Sequence, residues 1–207
     1  MRHAIPKEFI RRIPKPDIHL HLDGSLRIPT LIELAKKQRV KLPSYTEGGL
    51  RRLVFKDSYA NLPEYLKGFA YTCAVMQDAE SLERIEFELA EDNLAEGVRY
   101  IEVRYAPQLH INDRLGMEEV VRAVCRGLER AQKQHNRTKA KDDVPFHFGI
   151  IVCALRFIVP QMSACYQQLF EVMSYASPKQ VCAAASMELA RAAVDLAPIA
   201  GAEQLGG

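Results

Sequence analysis

Apolar and polar residues alternate, or apolar residues run together, in four short segments that are predicted to be β-strands: residues 16–23, 98–105, 145–155 and 192–196. Longer segments carry apolar residues at helical spacing, at residues 29–40, 61–76, 78–95, 117–134, 162–173 and 178–191. The region between residues 43 and 60 is mixed and rich in turn residues. The order is one strand, three helices, and then strands separated by helices. It predicts an α/β fold with a parallel sheet and right-handed crossovers.

The first predicted strand separates its side chains into a polar and an apolar face, because successive side chains of a strand point to opposite sides. The polar face carries Asp17, His19, His21 and Asp23, and the apolar face carries Ile18, Leu20 and Leu22. Two imidazoles at i and i+2 can reach one metal ion, and a carboxylate just beyond them can bind a ligand. Gly24 and Ser25 end the strand in a turn, so the polar set lies at its C-terminal end, where parallel α/β folds carry their chemistry. The alternative is an amphipathic edge strand facing solvent, because a zinc site needs three or four ligands.

Composition narrows the class of protein and its partners. The chain has 207 residues, of which 48% are hydrophobic and 26% charged, which is ordinary for a soluble globular protein. Its net charge of +2 is too small to indicate nucleic acid or a membrane surface as a partner. The five cysteines are widely spaced and form no Cys-x-x-Cys pair, which fits a reducing compartment and predicts a cytoplasmic protein. The first residues lack the apolar core of a signal peptide.

The run from His19 to Leu26 resembles the opening metal motif of the adenosine deaminase family. Residues 96–107, 148–153 and 193–197 resemble the second, third and fourth strands of that family, in the same order, so the resemblance spans about residues 14–203. It implies a zinc-dependent (β/α)8 barrel that hydrolyses the 6-amino group of adenosine to give inosine and ammonia. Adenosine or deoxyadenosine would be the small-molecule substrate, with one Zn²⁺ in each active site.

The resemblance also implies roles for particular residues. His19 and His21 would bind zinc, and His21 would also contact the substrate. Asp23 occupies the position that binds the ribose 5′-hydroxyl, and Gly201 matches a glycine that lets the backbone approach the purine. Residues from 198 to 200 lengthen the loop before that glycine. The extra helices after the first strand would form a flap that places Leu62, Leu66, Phe69 and Ala70 near the substrate.

The family's later strands supply a His-Ala-Gly-Glu segment, a further histidine and a final Asp-Asp pair, and no segment of this sequence corresponds to these later motifs. A complete barrel takes about 250 residues or more. We therefore interpret the chain as a single, apparently truncated domain over residues 1–207. It would be the first half of a (β/α)8 TIM barrel, with about four βα units and extra helices after strand 1. No catalytic residue is assigned, because the general acid glutamate is expected beyond residue 207.

Three further expectations concern the sheet edge, the metal site and the second predicted strand. The open sheet edge predicts that the isolated chain self-associates as a dimer, aggregates, or needs a complementary half. The histidine with the best position to replace a missing zinc ligand is His110, in the loop after the second strand. Glu102, on that strand, is expected to form a structural ion pair with Arg104 or Arg99. Two other functions stay open: an amidohydrolase or adenine deaminase acting on a related purine, and a non-catalytic or inactive barrel fragment.

Overall fold

The computed structural model describes residues 5–155, 158–160, 164–200 and 204–206. In this part of the chain the strands are β1 (Lys15–His21), β2 (Val98–Tyr105), β3 (His147–Cys153) and β4 (Gln204–Gly206). The helices are α1 (Lys7–Arg12), α2 (Ile28–Gln38), α3 (Glu47–Leu53), α4 (Leu62–Ala74), α5 (Ala79–Ala95), α6 (Met117–Thr138), α7 (Ala164–Val172) and α8 (Pro178–Ala200). A 3₁₀ turn follows β2 at Pro107–Leu109.

The four strands form one parallel sheet in the order β1-β2-β3-β4. On one face of this sheet, α5 packs on β2 and α8 packs on β3 and β4, and α6 packs against both helices. The opposite face carries partly exposed side chains of β1 and β2, including Glu102 and Arg104. At the edge, Ile18 of β1 is 61% exposed. This arrangement confirms the predicted α/β fold class, a partial barrel with extra helices between β1 and β2.

The core lies between the sheet and the helices that cover it. Helix α6 has a strong apolar stripe, in which Val120, Val124, Leu128 and Ala131 recur every three or four residues and are buried. Gly127 on the same stripe lets α5 approach closely, because a Cβ there would lie 2.5 Å from the Glu83 carbonyl oxygen. The contact between α5 and α6 therefore depends on a residue without a side chain.

Polar side chains cap the starts of two helices. The Asn61 side chain accepts a hydrogen bond from the Glu64 backbone N–H at the start of α4. The Asp78 side chain does the same with the Ser81 N–H at the start of α5. Gly97 follows α5 with a φ of +85°, a left-handed conformation that favours glycine, and turns the chain into β2.

The predicted fourth strand at residues 192–196 is wrong. These residues belong to α8, and the fourth strand is Gln204–Gly206. The buried residues Val181, Ala185, Ala193 and Leu196 recur along α8 at intervals of four, eight and three positions, which fits a helical period. A short apolar segment in an alanine-rich context is ambiguous by itself, and the preceding helical stripe continues through it.

Two short helices also differ from expectation. Helix α1 forms before β1, where the residue pattern predicts no element, and Lys15 holds its C-terminal end by donating hydrogen bonds to the carbonyls of Ile10 and Ile13. Helix α3 forms within the turn-rich region, where the Thr46 side chain accepts a hydrogen bond from the Gly49 N–H. Both helices are too short to give a clear periodicity.

The predicted ion pair of Glu102 is also wrong. The Tyr100 hydroxyl donates a 2.9 Å hydrogen bond to Glu102, two positions away on the same face of β2. Arg99 points to the other side and forms its ion pair with Asp143 at 2.9 Å, while Arg104 lies beside His19.

Within the described ranges, no helix is long and apolar enough to cross a membrane.

A carboxyl group lies inside the core without a charged or polar partner. Glu86 on α5 is fully buried, and both of its carboxyl oxygens lack a hydrogen-bonding partner among the described residues. Burial raises the pKa of Glu86 to about 8, because the charged form loses its hydration. The carboxyl group is therefore protonated in the folded chain at neutral pH.

We predict that Glu86→Gln increases stability more strongly at pH 8 than at pH 5. The unfolded chain ionises Glu86 near its ordinary pKa of 4.5, so the folded state loses stability as the pH rises from there to about 8. The expected loss is roughly 1 kcal/mol per pH unit across this range, and glutamine removes it. Urea unfolding of both proteins at several pH values measures the difference. Glu129→Gln, at an exposed position of α6, is the control. A difference between wild type and Glu86→Gln that does not change with pH would contradict the prediction.

Candidate functional site

The C-terminal end of β1 brings two imidazoles together. His19 and His21 project from the same face of the strand, and their Nε2 atoms are 3.3 Å apart. Their ring centroids are separated by 5.2 Å. The Ser25 hydroxyl donates a 2.6 Å hydrogen bond to the His21 carbonyl, and the His19 N–H donates to the Asp17 carboxylate. These local hydrogen bonds fix the backbone on both sides of the pair.

The separation of the two nitrogens fits two ligands of one zinc ion. Zinc binds imidazole nitrogen at about 2.0–2.1 Å, so two tetrahedral ligands lie about 3.3 Å from each other. Within residues 5–155, 158–160, 164–200 and 204–206, no group of three His, Cys, Asp or Glu side chains is placed to hold a metal ion. The described chain therefore offers two positions of a zinc site and needs further ligands to complete it.

Arg104 of β2 lies next to this pair. The parallel register places His21 opposite Arg104, and the Arg104 Nη1 atom is 3.4 Å from both ring nitrogens of His19. Partial burial lowers the pKa of His21, the neighbouring Asp23 opposes this effect, and the positive charge of Arg104 adds to it. A lowered pKa favours the neutral imidazole, which is the form that binds metal ions.

Asp23 lies just beyond the pair, in the turn after β1. Its side chain is only 17% exposed, and its Oδ1 atom lies 4.0 Å from His21 Nδ1. That oxygen is buried and has no hydrogen-bonding partner within the described ranges. Burial raises the pKa of Asp23, although His21 and the backbone N–H groups of the turn oppose the shift. An unpartnered acceptor of this kind suits a hydroxyl donor from a ligand.

A cavity of about 1010 Å³ opens beside these residues. Its walls come from the end of β1, from α4 and from the loops after α4, β2 and β3, and consist of His19, Leu20, His21, Asp23, Gly24, Ser25, Tyr65, Leu66, Phe69, Ala70, Cys73, Ala74, Gln77, Leu109 and Leu155. The Phe69 ring lies against the turn, since a Cβ at Gly24 would lie 3.4 Å from it. Of the predicted flap residues, Leu66, Phe69 and Ala70 line the cavity, whereas Leu62 lies outside its wall and is 65% exposed.

His110 does not join the histidine pair, contrary to its predicted position as a replacement ligand. Its side chain is 0% exposed, and its Nδ1 atom lies 3.1 Å from the Met76 carbonyl oxygen. Burial lowers its pKa to about 4. The 3₁₀ turn after β2 directs the ring into the core instead of toward the cavity. Gly201, the predicted glycine next to the purine, lies outside the described residues.

The structure adds residues to the site that sequence reasoning missed. The sequence could have indicated Arg104. It shares a face of β2 with Tyr100 and Glu102, and parallel pairing of β2 with β1 places that face beside the histidines. Gln77 and Leu109 come from loops, and the Gln77 amide donates to the Leu109 carbonyl across the cavity wall. No local pattern predicts such a contact.

The sequence matches the family model for adenosine deaminase over residues 14–194. The chain belongs to the adenosine deaminase family. It is 41% identical over 160 residues to a probable adenosine deaminase of Dictyostelium discoideum, covering 77% of this chain and 20% of that protein. It is 40% identical over 156 residues to an adenosine deaminase of Clostridium botulinum, covering 72% of this chain and 47% of that protein. The chain thus spans less than half the length of these curated relatives.

Solved structures of this adenosine deaminase-like fold agree with the partial barrel. An adenine deaminase from Arthrobacter aurescens matches with a TM-score of 0.59 at 22% identity, over 78% of this chain and 44% of that one. An N6-methyl-AMP deaminase from Arabidopsis thaliana matches with a TM-score of 0.56 at 22% identity, over 92% and 49%. An amidohydrolase from Burkholderia ambifaria with bound Zn matches with a TM-score of 0.56 at 18% identity, over 83% and 44%. At these identities the likeness shows the fold.

We predict that zinc binding requires both histidines of β1. Replacing His19 or His21 by alanine leaves one imidazole at the site, so the zinc affinity of the full chain should fall by at least roughly tenfold. Titration of zinc against a competing chelator measures the affinity. His147→Ala, at the exposed start of β3, is the matched control and should bind zinc as the wild type does. Wild-type affinity in both the His19 and His21 variants would show that the pair is not the metal site.

Proposed function

We propose that this chain forms the N-terminal half of a zinc-dependent deaminase barrel that hydrolyses adenosine or deoxyadenosine to inosine or deoxyinosine and ammonia. One observation carries the proposal: an imidazole pair spaced for zinc, with the unpartnered Asp23 carboxyl group beside it, at the wall of a large cavity. Membership of the adenosine deaminase family supports it. The residues 1–207 would act as one unit of that barrel. The predicted cytoplasmic location stays a prediction.

The two histidines would hold the metal ion in their neutral form. Their position is fixed by the pairing of β1 with β2 and by the Ser25 hydrogen bond to the His21 carbonyl. A zinc ion bound there supplies activation of water for hydrolysis. The third ligand and the general acid are not assigned to any described residue. They would come from the remaining part of a closed barrel.

The cavity wall would bind the nucleoside by two kinds of contact. Leu66, Phe69, Leu109 and Leu155 present apolar surface that suits the face of a purine ring and excludes water from it. Asp23 would accept a hydrogen bond from the ribose 5′-hydroxyl. The same carboxylate would repel a 5′-phosphate, and it would have no partner on a free base. We therefore favour a nucleoside over a nucleotide or free adenine as substrate.

A second candidate function is a non-catalytic module that binds a purine nucleoside. The observation in its favour is the same gap in the site, since the described part of the chain holds no third metal ligand. Deamination of a related purine, such as adenine, remains a hypothesis without a specific contact to support it. Measurements of binding and of turnover on the same sample separate these functions.

We predict that the zinc-loaded chain binds adenosine and that Asp23→Ala weakens this binding by roughly 10- to 100-fold, the value of a hydrogen bond to a charged group. Deamination should be slower than that of the Clostridium botulinum enzyme by about 10²- to 10⁴-fold, because no general acid is assigned among the described residues. Calorimetry measures binding, and ammonia release measures turnover.

The matched control for this experiment is Asp142→Asn, which changes an exposed carboxylate far along the chain and should leave binding unchanged. Adenine and AMP should bind more weakly than adenosine. The proposal fails if the chain does not bind adenosine, or if Asp23→Ala binds it as tightly as the wild type. Adenosine binding with no ammonia release would favour the non-catalytic module.

A further inference from the structure

We propose that Gln77 is a positioning residue of the large cavity. Its side chain links helix α4 to the loop after β2 and so sets the distance between two parts of the cavity wall. Gln77 belongs to residues 75–78, the segment that connects α4 to α5. The effect on nucleoside binding rests on the proposed function, whereas the positioning of α4 does not.

The connecting segment, residues 75–78, is held in place by side chains that are distant in the sequence. The backbone carbonyls of residues 75, 76 and 77 each accept one hydrogen bond from such a side chain. The donors are, in that order, Gln38 of α2, His110 and Asn112, at 3.0, 3.1 and 2.9 Å. Val75 and Met76 are fully buried, where backbone groups outside helices and strands need partners of this kind. The segment is therefore fixed both to α2 and to the loop after β2.

The side chain of Gln77 makes a second link between α4 and the same loop. Its amide nitrogen donates a 2.7 Å hydrogen bond to the Cys73 carbonyl, in the last turn of α4. It also donates a 3.1 Å hydrogen bond to the Leu109 carbonyl, in the 3₁₀ turn after β2. One amide has two N–H groups, so a single side chain can bind both acceptors. Cys73 and Leu109 both line the cavity, and Gln77 therefore holds two parts of its wall together.

The other end of α4 is held mainly by residues that are close in sequence. Glu64 accepts hydrogen bonds from the Lys56 side chain and from the Ala60 N–H. These contacts do not fix α4 relative to the sheet. The Phe69 ring lies against the turn after β1, but an apolar contact has little directional preference. The hydrogen bonds of Gln77 are directional, and the loop that they reach follows directly from β2.

The position of α4 determines the width of the cavity. One face of the helix lines it, with the side chains of Tyr65, Leu66, Phe69, Ala70, Cys73 and Ala74. Helix α4 has 13 residues, so it is about 20 Å long, and a rotation of about 10° around its C-terminal end would move its N-terminal end by about 3 Å. Loss of the Gln77 link should therefore displace the apolar wall that would contact the purine ring.

The variant Gln77→Met tests the link, because methionine has a similar length and donates no hydrogen bond. Hydrogen exchange of the α4 backbone amides should become roughly 3- to 10-fold faster, and the zinc-loaded full chain should bind adenosine roughly 3- to 10-fold more weakly, the value of a neutral hydrogen bond. Zinc affinity should stay unchanged. Gln132→Met is the matched control, since the Gln132 amide donates a 3.1 Å hydrogen bond to the Phe146 carbonyl just before β3, at the other end of that strand from the cavity.

The variant Asn112→Asp distinguishes positioning from direct contact with the nucleoside. Asn112 is not among the described residues that line the cavity. Aspartate keeps the side-chain oxygen that accepts from the Arg114 N–H, but it cannot donate to the Gln77 carbonyl. We expect faster exchange in α4 and weaker adenosine binding here as well. The two changes should be non-additive when combined, because both act on the connecting segment. Circular dichroism verifies that each variant folds.

Each result has a defined meaning for the proposal. Unchanged exchange in α4, or an equal increase in α4 and α6, would overturn the positioning role of Gln77. Weaker adenosine binding in Gln77→Met but not in Asn112→Asp would show direct contact instead of positioning. Wild-type adenosine affinity in both variants, with faster exchange in α4, would overturn the effect on the nucleoside. A wild-type chain that does not bind adenosine contradicts the proposed function, and the exchange measurement still tests the link.

Discussion

The parallel pairing of β1 with β2 is the constraint on which the site depends. Beyond an irregularity in register between Asp17 and Leu20, it sets Leu20 opposite Val103 and His21 opposite Arg104. Leu20 therefore packs on the core and the imidazoles point to the open face, whereas Ile18, within the irregularity, stays exposed. A shift of one residue would exchange the two faces and bury the histidines. The base of this pairing is supported by Lys15, which caps α1, and by Gly97, whose missing side chain leaves room for the Arg11 carbonyl.

The half-barrel divides its chemistry cleanly between its two faces. The outer face of the sheet contributes, with α5, α6 and α8, to the apolar core, which also holds the buried Glu86 carboxyl group. The open face carries the histidine pair, Arg104 and the hydrogen-bonded Tyr100 and Glu102. The two interpretations of β1, an amphipathic edge strand facing solvent and a metal-binding strand, are therefore compatible. The polar C-terminal end of this edge strand carries two imidazoles at the spacing of a metal site.

Local sequence patterns predicted the parts of the fold that short-range physics determines. Alternation in the sequence identified β1 and placed His19, His21 and Asp23 together, and Asn61 marked the start of α4. The prediction failed where the outcome depends on distant contacts. Residues 192–196 are compatible with a strand or a helix, and packing against α6 and β3 decides for α8. The inward turn of His110 depends on the Met76 carbonyl, 34 positions away in the chain.

X-ray absorption at the zinc edge of the metal-loaded chain tests the central claim most directly, because it reports which atoms bind the ion. The chain has free cysteines near the site, including Cys73 and Cys153, that could compete for zinc. If β1 forms the metal site, the nearest scatterers are imidazole nitrogens at about 2.0–2.1 Å, and the signal is lost in His19→Ala. A dominant sulfur shell at about 2.3 Å, unchanged in that variant, would contradict the account.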